Sequence, residues 1–140
     1  MDQNDELSRL MVLVEQYKEQ LNQFEMQISY LQQALNDYNK AKISIENLGK
    51  QNKNSNILLP LGGGSFISAD TKDPKKILVD VGAGYIVEKD TDDAIKKFQE
   101  RINEINININ KLNDIKSKTE QEATEVYQKA QKLYQEQMGQ

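Results

Sequence analysis

The chain has 140 residues, of which 37% are hydrophobic and 29% charged, with a mean hydropathy of -0.76 and a formal net charge of -4. It contains no Cys, His or Trp, which removes disulfides, thiolate chemistry, imidazole acid–base catalysis and His/Cys zinc sites together. So polar a composition suits long helices that bury one narrow stripe better than a compact sphere, and the acidic balance counts against nucleic acid, which asks for clustered Lys and Arg.

The opening residues Met1-Asp2-Gln3-Asn4-Asp5-Glu6 are acidic and carry no apolar core of a signal peptide. From Leu7 to about Leu48 there is neither Gly nor Pro. An apolar stripe runs through this stretch in steps of three and four. Its a positions are Leu7, Val14, Leu21, Ile28, Leu35 and Lys42, and its d positions are Leu10, Tyr17, Phe24, Leu31, Tyr38 and Ile45. Nearly six heptads interrupted by one lysine predict a coiled-coil helix over 1–48.

The composition changes over 49–90. Both prolines and every glycine except Gly139 lie there. Gly49-Lys50-Gln51-Asn52-Lys53-Asn54-Ser55-Asn56 reads as a helix stop and a polar loop. Four β-like runs follow, Ile57–Leu61, Ser65–Asp70, Lys76–Val81 and Tyr85–Glu88. Gly62-Gly63-Gly64, Thr71-Lys72-Asp73-Pro74 and Gly82-Ala83-Gly84 separate them, so the segment predicts two β-hairpins in tandem. Pro60 lacks a backbone donor, which puts the first strand at an edge or bulges it there.

Helical periodicity returns over 91–140. Asp90 or Thr91 is a candidate N-cap, with Asp92 and Asp93 favouring the helix dipole. The a positions are Ile95, Ile102, Ile109, Lys116, Ala123 and Ala130, and the d positions are Phe98, Ile105, Leu112, Thr119, Val126 and Leu133. Ile105-Asn106-Ile107-Asn108-Ile109 alternates like a strand, but the heptads run straight through it, so helix is predicted.

Two helices of similar length flank the hairpin segment, each roughly 65 Å long at about 1.5 Å per residue. They predict an antiparallel pair. With Ile45 set against Ile95, Tyr38 meets Ile102, Leu35 meets Ile105, Ile28 meets Leu112, Leu21 meets Thr119 and Leu10 meets Ala130. The large residues of the first helix then face small ones of the second near the chain termini, where less apolar area is buried and the pair should fray first. The expected fold class is α+β, mostly α: a long antiparallel two-helix coiled coil with two inserted β-hairpins.

Off the stripe, extra apolar residues gather near the termini: Met11 and Leu13 on the first helix, and Tyr127, Tyr134 and Met138 on the second. Scattered exposed apolar residues are ordinary, yet Met suits surfaces that accept many shapes. The hairpins, some 34 residues, are too small to hold a core alone, and their edges invite pairing with another chain. Ile57, Leu59, Phe66, Ile67, Ile77, Val79, Tyr85 and Val87 are the candidate oligomerisation residues. Neither Leu61-Gly62-Gly63-Gly64-Ser65 nor Val81-Gly82-Ala83-Gly84-Tyr85 carries the Lys or the strand–helix setting of a phosphate loop. The carboxylates off the stripe, such as Glu15, Glu19, Glu100 and Glu120, read as a solvated face. No catalytic residue, metal ligand or cofactor site emerges, and an enzyme is not expected.

The order helix, two hairpins, helix resembles α-class prefoldin subunits, whose β-class counterparts carry a single hairpin. Ile57-Leu58-Leu59-Pro60-Leu61-Gly62-Gly63-Gly64-Ser65-Phe66-Ile67 is similar to the first α-class hairpin, and Asp80-Val81-Gly82-Ala83-Gly84-Tyr85 to the second. The resemblance implies a cytoplasmic hexamer of two α-type and four β-type subunits whose hairpins form a double β-barrel. It implies an ATP-independent holdase that captures non-native polypeptides at the coiled-coil tips and delivers them to a group II chaperonin. No nucleic acid or membrane partner is implied. The candidate client-binding residues are Leu7, Leu10, Met11, Leu13, Val14, Tyr127, Leu133, Tyr134 and Met138. Four of them, Leu7, Leu10, Val14 and Leu133, lie on the seam and reach a client only if the tip opens. The alternative is a structural coiled-coil scaffold or assembly protein without a client.

Overall fold

The computed structural model describes residues 2–51 and 55–139. Helix α1 spans Gln3–Gly49 and helix α2 spans Thr91–Met138. Between them lie strands β1 (Asn56–Gly62), β2 (Ser65–Asp70), β3 (Lys76–Gly82) and β4 (Tyr85–Asp90). Residues 52–54 of the expected polar loop fall outside the described residues. β1 pairs antiparallel with β2, and β3 with β4, as two separate two-stranded sheets. The architecture is thus the mostly helical one expected from the sequence, and the Ile105–Ile109 stretch is helical. Its alternation is explained by what it buries: Ile105 and Ile109 face inward one turn apart, while Ile107 is exposed.

The described chain comprises two compact units, Ala34–Glu104 and a second made of Met1–Gln33 with Ile105–Gln140. In the second unit the helical segments run antiparallel. Lys116 Nζ lies 3.4 Å from Glu25 Oε1, and Leu31 and Leu112 line one groove. Val14, Ile28, Ile105, Ile109, Thr119 and Ala130 are buried there. Thr119 is tolerated on the seam because its hydroxyl donates to the Ile115 carbonyl at 2.9 Å, so no polar group is left bare.

In the unit Ala34–Glu104 the helices are also antiparallel. Lys42 Nζ donates to Gln99 Oε1 at 2.6 Å, and the Tyr38 and Phe98 rings lie 5.5 Å apart. The pairs Lys42–Gln99 and Glu25–Lys116 each fall one residue from the register predicted above, far short of a heptad slip. They also account for the two lysines on the stripe. Lys42 is held by Gln99 and by Glu46 at 3.7 Å, and Lys116 by Glu25 and by Glu120 at 3.9 Å. A seam lysine that finds partners in one register favours that register over its neighbours.

A small core joins helices and second hairpin in this unit: Ile45, Val79 and Ala94 are buried, with Ile77, Ile95 and Phe98 packed against them. The start of α2 is fixed to the loop before β3. Thr91 N donates to the Lys75 carbonyl at 3.0 Å, and the Thr91 hydroxyl to the Pro74 carbonyl at 3.4 Å. Asp90, the residue directly before the first helical one and so at the expected N-cap position, holds Lys76 Nζ at 2.7 Å at the end of β4. Gly49 closes α1 beside this junction, where a Cβ would stand 2.6 Å from Thr91 Cγ2.

Candidate interaction surfaces

The hairpins share one backbone plan. The register shifts between Pro60 and Gly62 in the first and between Asp80 and Gly82 in the second, leaving Leu61 and Val81 as the extra residues of β-bulges. This resolves how Pro60 is accommodated. The turns need left-handed backbone: φ is 56° at Gly63 and 77° at Gly64, and 53° at Ala83 and 79° at Gly84. Two consecutive positive φ values make the tight turn whose twist suits a hairpin.

Side chains of a strand alternate between faces, so the pairings sort them. In the first hairpin Ile57 opposes Ala69 and Leu59 opposes Ile67, giving one wholly apolar face. The other face is apolar near the turn, with Leu58, Pro60 and Phe66, and polar at the base. There Asn56 Nδ2 donates to Ser68 Oγ at 2.7 Å and to Asp70 Oδ1 at 3.2 Å. Leu58, Leu59, Leu61, Phe66 and Ile67 are all exposed. In the second hairpin the face carrying Ile77, Val79 and Val87 turns toward the helices, and Val79 is only 6% exposed. Its other face shows Leu78, 71% exposed, and Ile86 beside Asp80 and Glu88.

Of the candidate oligomerisation residues, Leu59, Phe66, Ile67, Tyr85 and Val87 are exposed, and Ile57 is half-buried. Val79 and Ile77 belong instead to the chain's own core. Leu58, Leu61, Leu78 and Ile86 are exposed apolar positions that the sequence reading passed over. The signal for Leu58 and Leu78 was available: each follows a candidate residue, Ile57 or Ile77, by one step along its strand and so shows its side chain on the opposite face.

Near the chain termini a second surface appears. Leu7, Met11, Tyr127 and Tyr134 line one groove of about 500 Å³, together with Ala130 and two glutamines. Met11, Tyr127 and Tyr134 are exposed, while Ala130, the floor, is 3% exposed. Gln131 Nε2 donates to the Tyr127 hydroxyl at 3.1 Å. Of the other candidates, Leu13 and Met138 are exposed but do not line this groove, Leu10 and Leu133 are half-buried, and Val14 is buried. Sequence reasoning missed Met26 and Tyr30, an exposed i,i+4 pair that lines a groove of about 400 Å³ with Leu31 and Leu112. Attention to the a and d stripe hid them, since both lie on the outer helix face.

The electrostatics of these surfaces are plain. Hydrogen bonding to Asp90 raises the Lys76 ammonium above its ordinary range and lowers the Asp90 carboxyl below its own. No group of three or more carboxylates gathers to hold a metal among the described residues, and no described helix is long and apolar enough to cross a membrane.

The Prefoldin family model, described as prefoldin subunit, matches residues 17–136. The chain belongs to the prefoldin family. Proteins similar to it include prefoldin alpha subunits. Prefoldin subunit alpha of Methanococcus maripaludis strain C7 is 30% identical over 102 residues, covering 73% of this chain and 69% of that one. Prefoldin subunit alpha of Thermococcus onnurineus is 34% identical over 104 residues, covering 74% and 71%. Among solved structures, a filamentous prefoldin from Methanocaldococcus jannaschii superposes with a TM-score of 0.58 at 21% identity, covering 88% of this chain and 96% of that one. That likeness concerns the fold. Family membership makes the chain a chaperone-associated subunit, as its resemblance to α-class hairpins implied.

Proposed function

We propose that this chain is the α-type subunit of a prefoldin holdase, assembled as two α with four β-type subunits in the cytoplasm. The observation that carries the reading is the first hairpin: an apolar face of Ile57, Leu59, Ile67 and Ala69 on which Leu59 and Ile67 are exposed and which takes no part in the buried core of its unit. Burying such side chains contributes roughly 25 cal/mol per Å², and the outer edge of every strand is free to pair. A β-barrel shared between subunits would satisfy both needs. Non-native polypeptide would be held by apolar contacts at the ends of the helices near the chain termini and passed to a group II chaperonin. No nucleotide is needed, because the attraction comes from apolar surface on the client itself.

The test is to trim the terminal turns of both helices in the complex assembled with a β-type subunit. Assembly should persist by size, while suppression of aggregation of a denatured test protein, equal with and without ATP, should be lost. A trimmed complex that still suppresses aggregation overturns client capture at these ends and leaves the scaffold reading.

A further inference from the structure

The candidate client-binding residues fall into two sets. Val14 is buried on the seam and Leu7, Leu10 and Leu133 are half-buried, so using them fully means opening the helix pair. Met11, Tyr127 and Tyr134 are open to solvent while the pair is closed. They converge on one depression because the seam residue beneath is alanine. Ala130 packs deeply but fills little, and the tyrosines before and after it stand as walls. Tyr127 and Tyr134 are seven residues apart, two helical turns or roughly 10 Å, which leaves room between them for one bulky side chain. Met11 closes the groove from α1 with a side chain that adapts to different shapes. The hydrogen bond from Gln131 holds the Tyr127 ring in place.

Charge indicates what such a side chain should belong to. The unit Met1–Gln33 with Ile105–Gln140 holds 11 acidic and 7 basic side chains, whereas Ala34–Glu104 holds 11 of each. The whole formal charge of -4 therefore sits on the unit that carries the groove. A cationic segment is drawn to it and an anionic one repelled, within the reach of about 8 Å that physiological salt allows.

We propose that the groove of Leu7, Met11, Tyr127, Ala130 and Tyr134 takes a bulky apolar side chain from a non-native segment flanked by Lys or Arg, with the helix pair still closed. This rests on the holdase reading, and refines it from opened tips to a preformed groove selective for cationic apolar segments.

The chain has no cysteine, so one introduced pair is unambiguous. Tyr17→Cys with Ala123→Cys places thiols at seam positions that face each other in the register predicted above and do not line the groove, and oxidation locks the pair shut, as non-reducing gel mobility would verify. In the complex assembled with a β-type subunit, two fluorescent peptides are compared, each with a Phe-Leu-Phe centre, one flanked by lysines and one by glutamates. The lysine peptide should bind at least about tenfold tighter at low salt, with the gap closing near 1 M salt, where the Debye length is about 3 Å. Oxidation of the lock should leave its binding within about twofold, and Tyr127→Ser with Tyr134→Ser should weaken it about fivefold or more with helicity unchanged. Binding lost on oxidation and restored by reduction overturns the closed groove in favour of an opened seam. Equal binding of both peptides overturns the charge selectivity, and full binding by the tyrosine variant overturns the site. If the unmodified complex does not suppress aggregation at all, it is the holdase reading that has failed.

Discussion

The two hairpins are alike in backbone and unlike in attachment. Both have six- or seven-residue strands, a bulge two residues before the turn, and a turn of left-handed residues. The second sends Val79 and Ile77 into the chain's own core, and Thr91 ties the loop before it to α2. The first is held at its base by Ser55 and Thr71: the Ser55 amide donates to Thr71 Oγ1 at 2.7 Å, and the Thr71 amide to the Ser55 carbonyl at 2.8 Å. Its apolar face is left outward. The same local code thus yields one hairpin that joins the chain's buried core and one whose apolar face stays out of it. The difference lies in which residues the helix junction can reach, not in the hairpin motif.

The comparison can be broken by substitution. The largest effect is expected at Val79. Val79→Ala removes buried methyls and leaves a cavity beside Ile45 and Ala94, which should cost about 2 kcal/mol, read as a lowered midpoint of thermal unfolding of the chain alone. Leu59→Ala, its counterpart in the first hairpin, should change the stability of the chain alone by no more than about 0.5 kcal/mol, with little shift of that midpoint, and show its effect in assembly. Equal losses at the two positions would mean that the first hairpin is also packed within its own chain.

A smaller effect sharpens the likeness of the turns. Ala83 holds a left-handed conformation that costs a non-glycine residue about 1 kcal/mol. Ala83→Gly should therefore stabilise the chain by about that much, and Gly63→Ala, at a matching φ, should destabilise it similarly. Chemical denaturation of both variants checks the symmetry.

The smallest effect concerns the exposed Lys76–Asp90 pair at the base of the second hairpin. The carboxyl is lowered in the folded chain, so its contribution is present above its ordinary value of 3.8 and is lost as the pH falls through the lower folded value. The ammonium is raised, so its contribution is present below 10.5 and is lost as the pH rises through the higher folded value. Lys76→Met should flatten the acid limb of the stability profile slightly, and exposure to solvent keeps the change small.

Much of the fold was legible because heptads and glycine turns are local signals. Leu7 to Ile45 and Ile95 to Leu133 announce their helices by spacing, and every one of those stripe positions is buried or half-buried. The facing of Val79 was not legible. A strand's alternation says which residues share a face, but only the junction of Gly49, Thr91 and Pro74 decides which face meets the helices. For the same reason Met26 and Tyr30 escaped notice. Periodicity finds what a helix pair buries and is silent on apolar residues left outside it. Asp90 stands at an expected N-cap position, directly before the first helical residue, and its carboxylate also serves as a cross-strand ion partner.

With a Cβ at Gly49 standing 2.6 Å from Thr91 Cγ2, the missing side chain is what lets the exit of one helix touch the entry of the other. A methyl there would act as a wedge against the Thr91 side chain and strain the hydrogen bonds by which Thr91 holds the loop before β3. The close seating of the loop before β3 on the helix ends thus depends on an atom that glycine does not have.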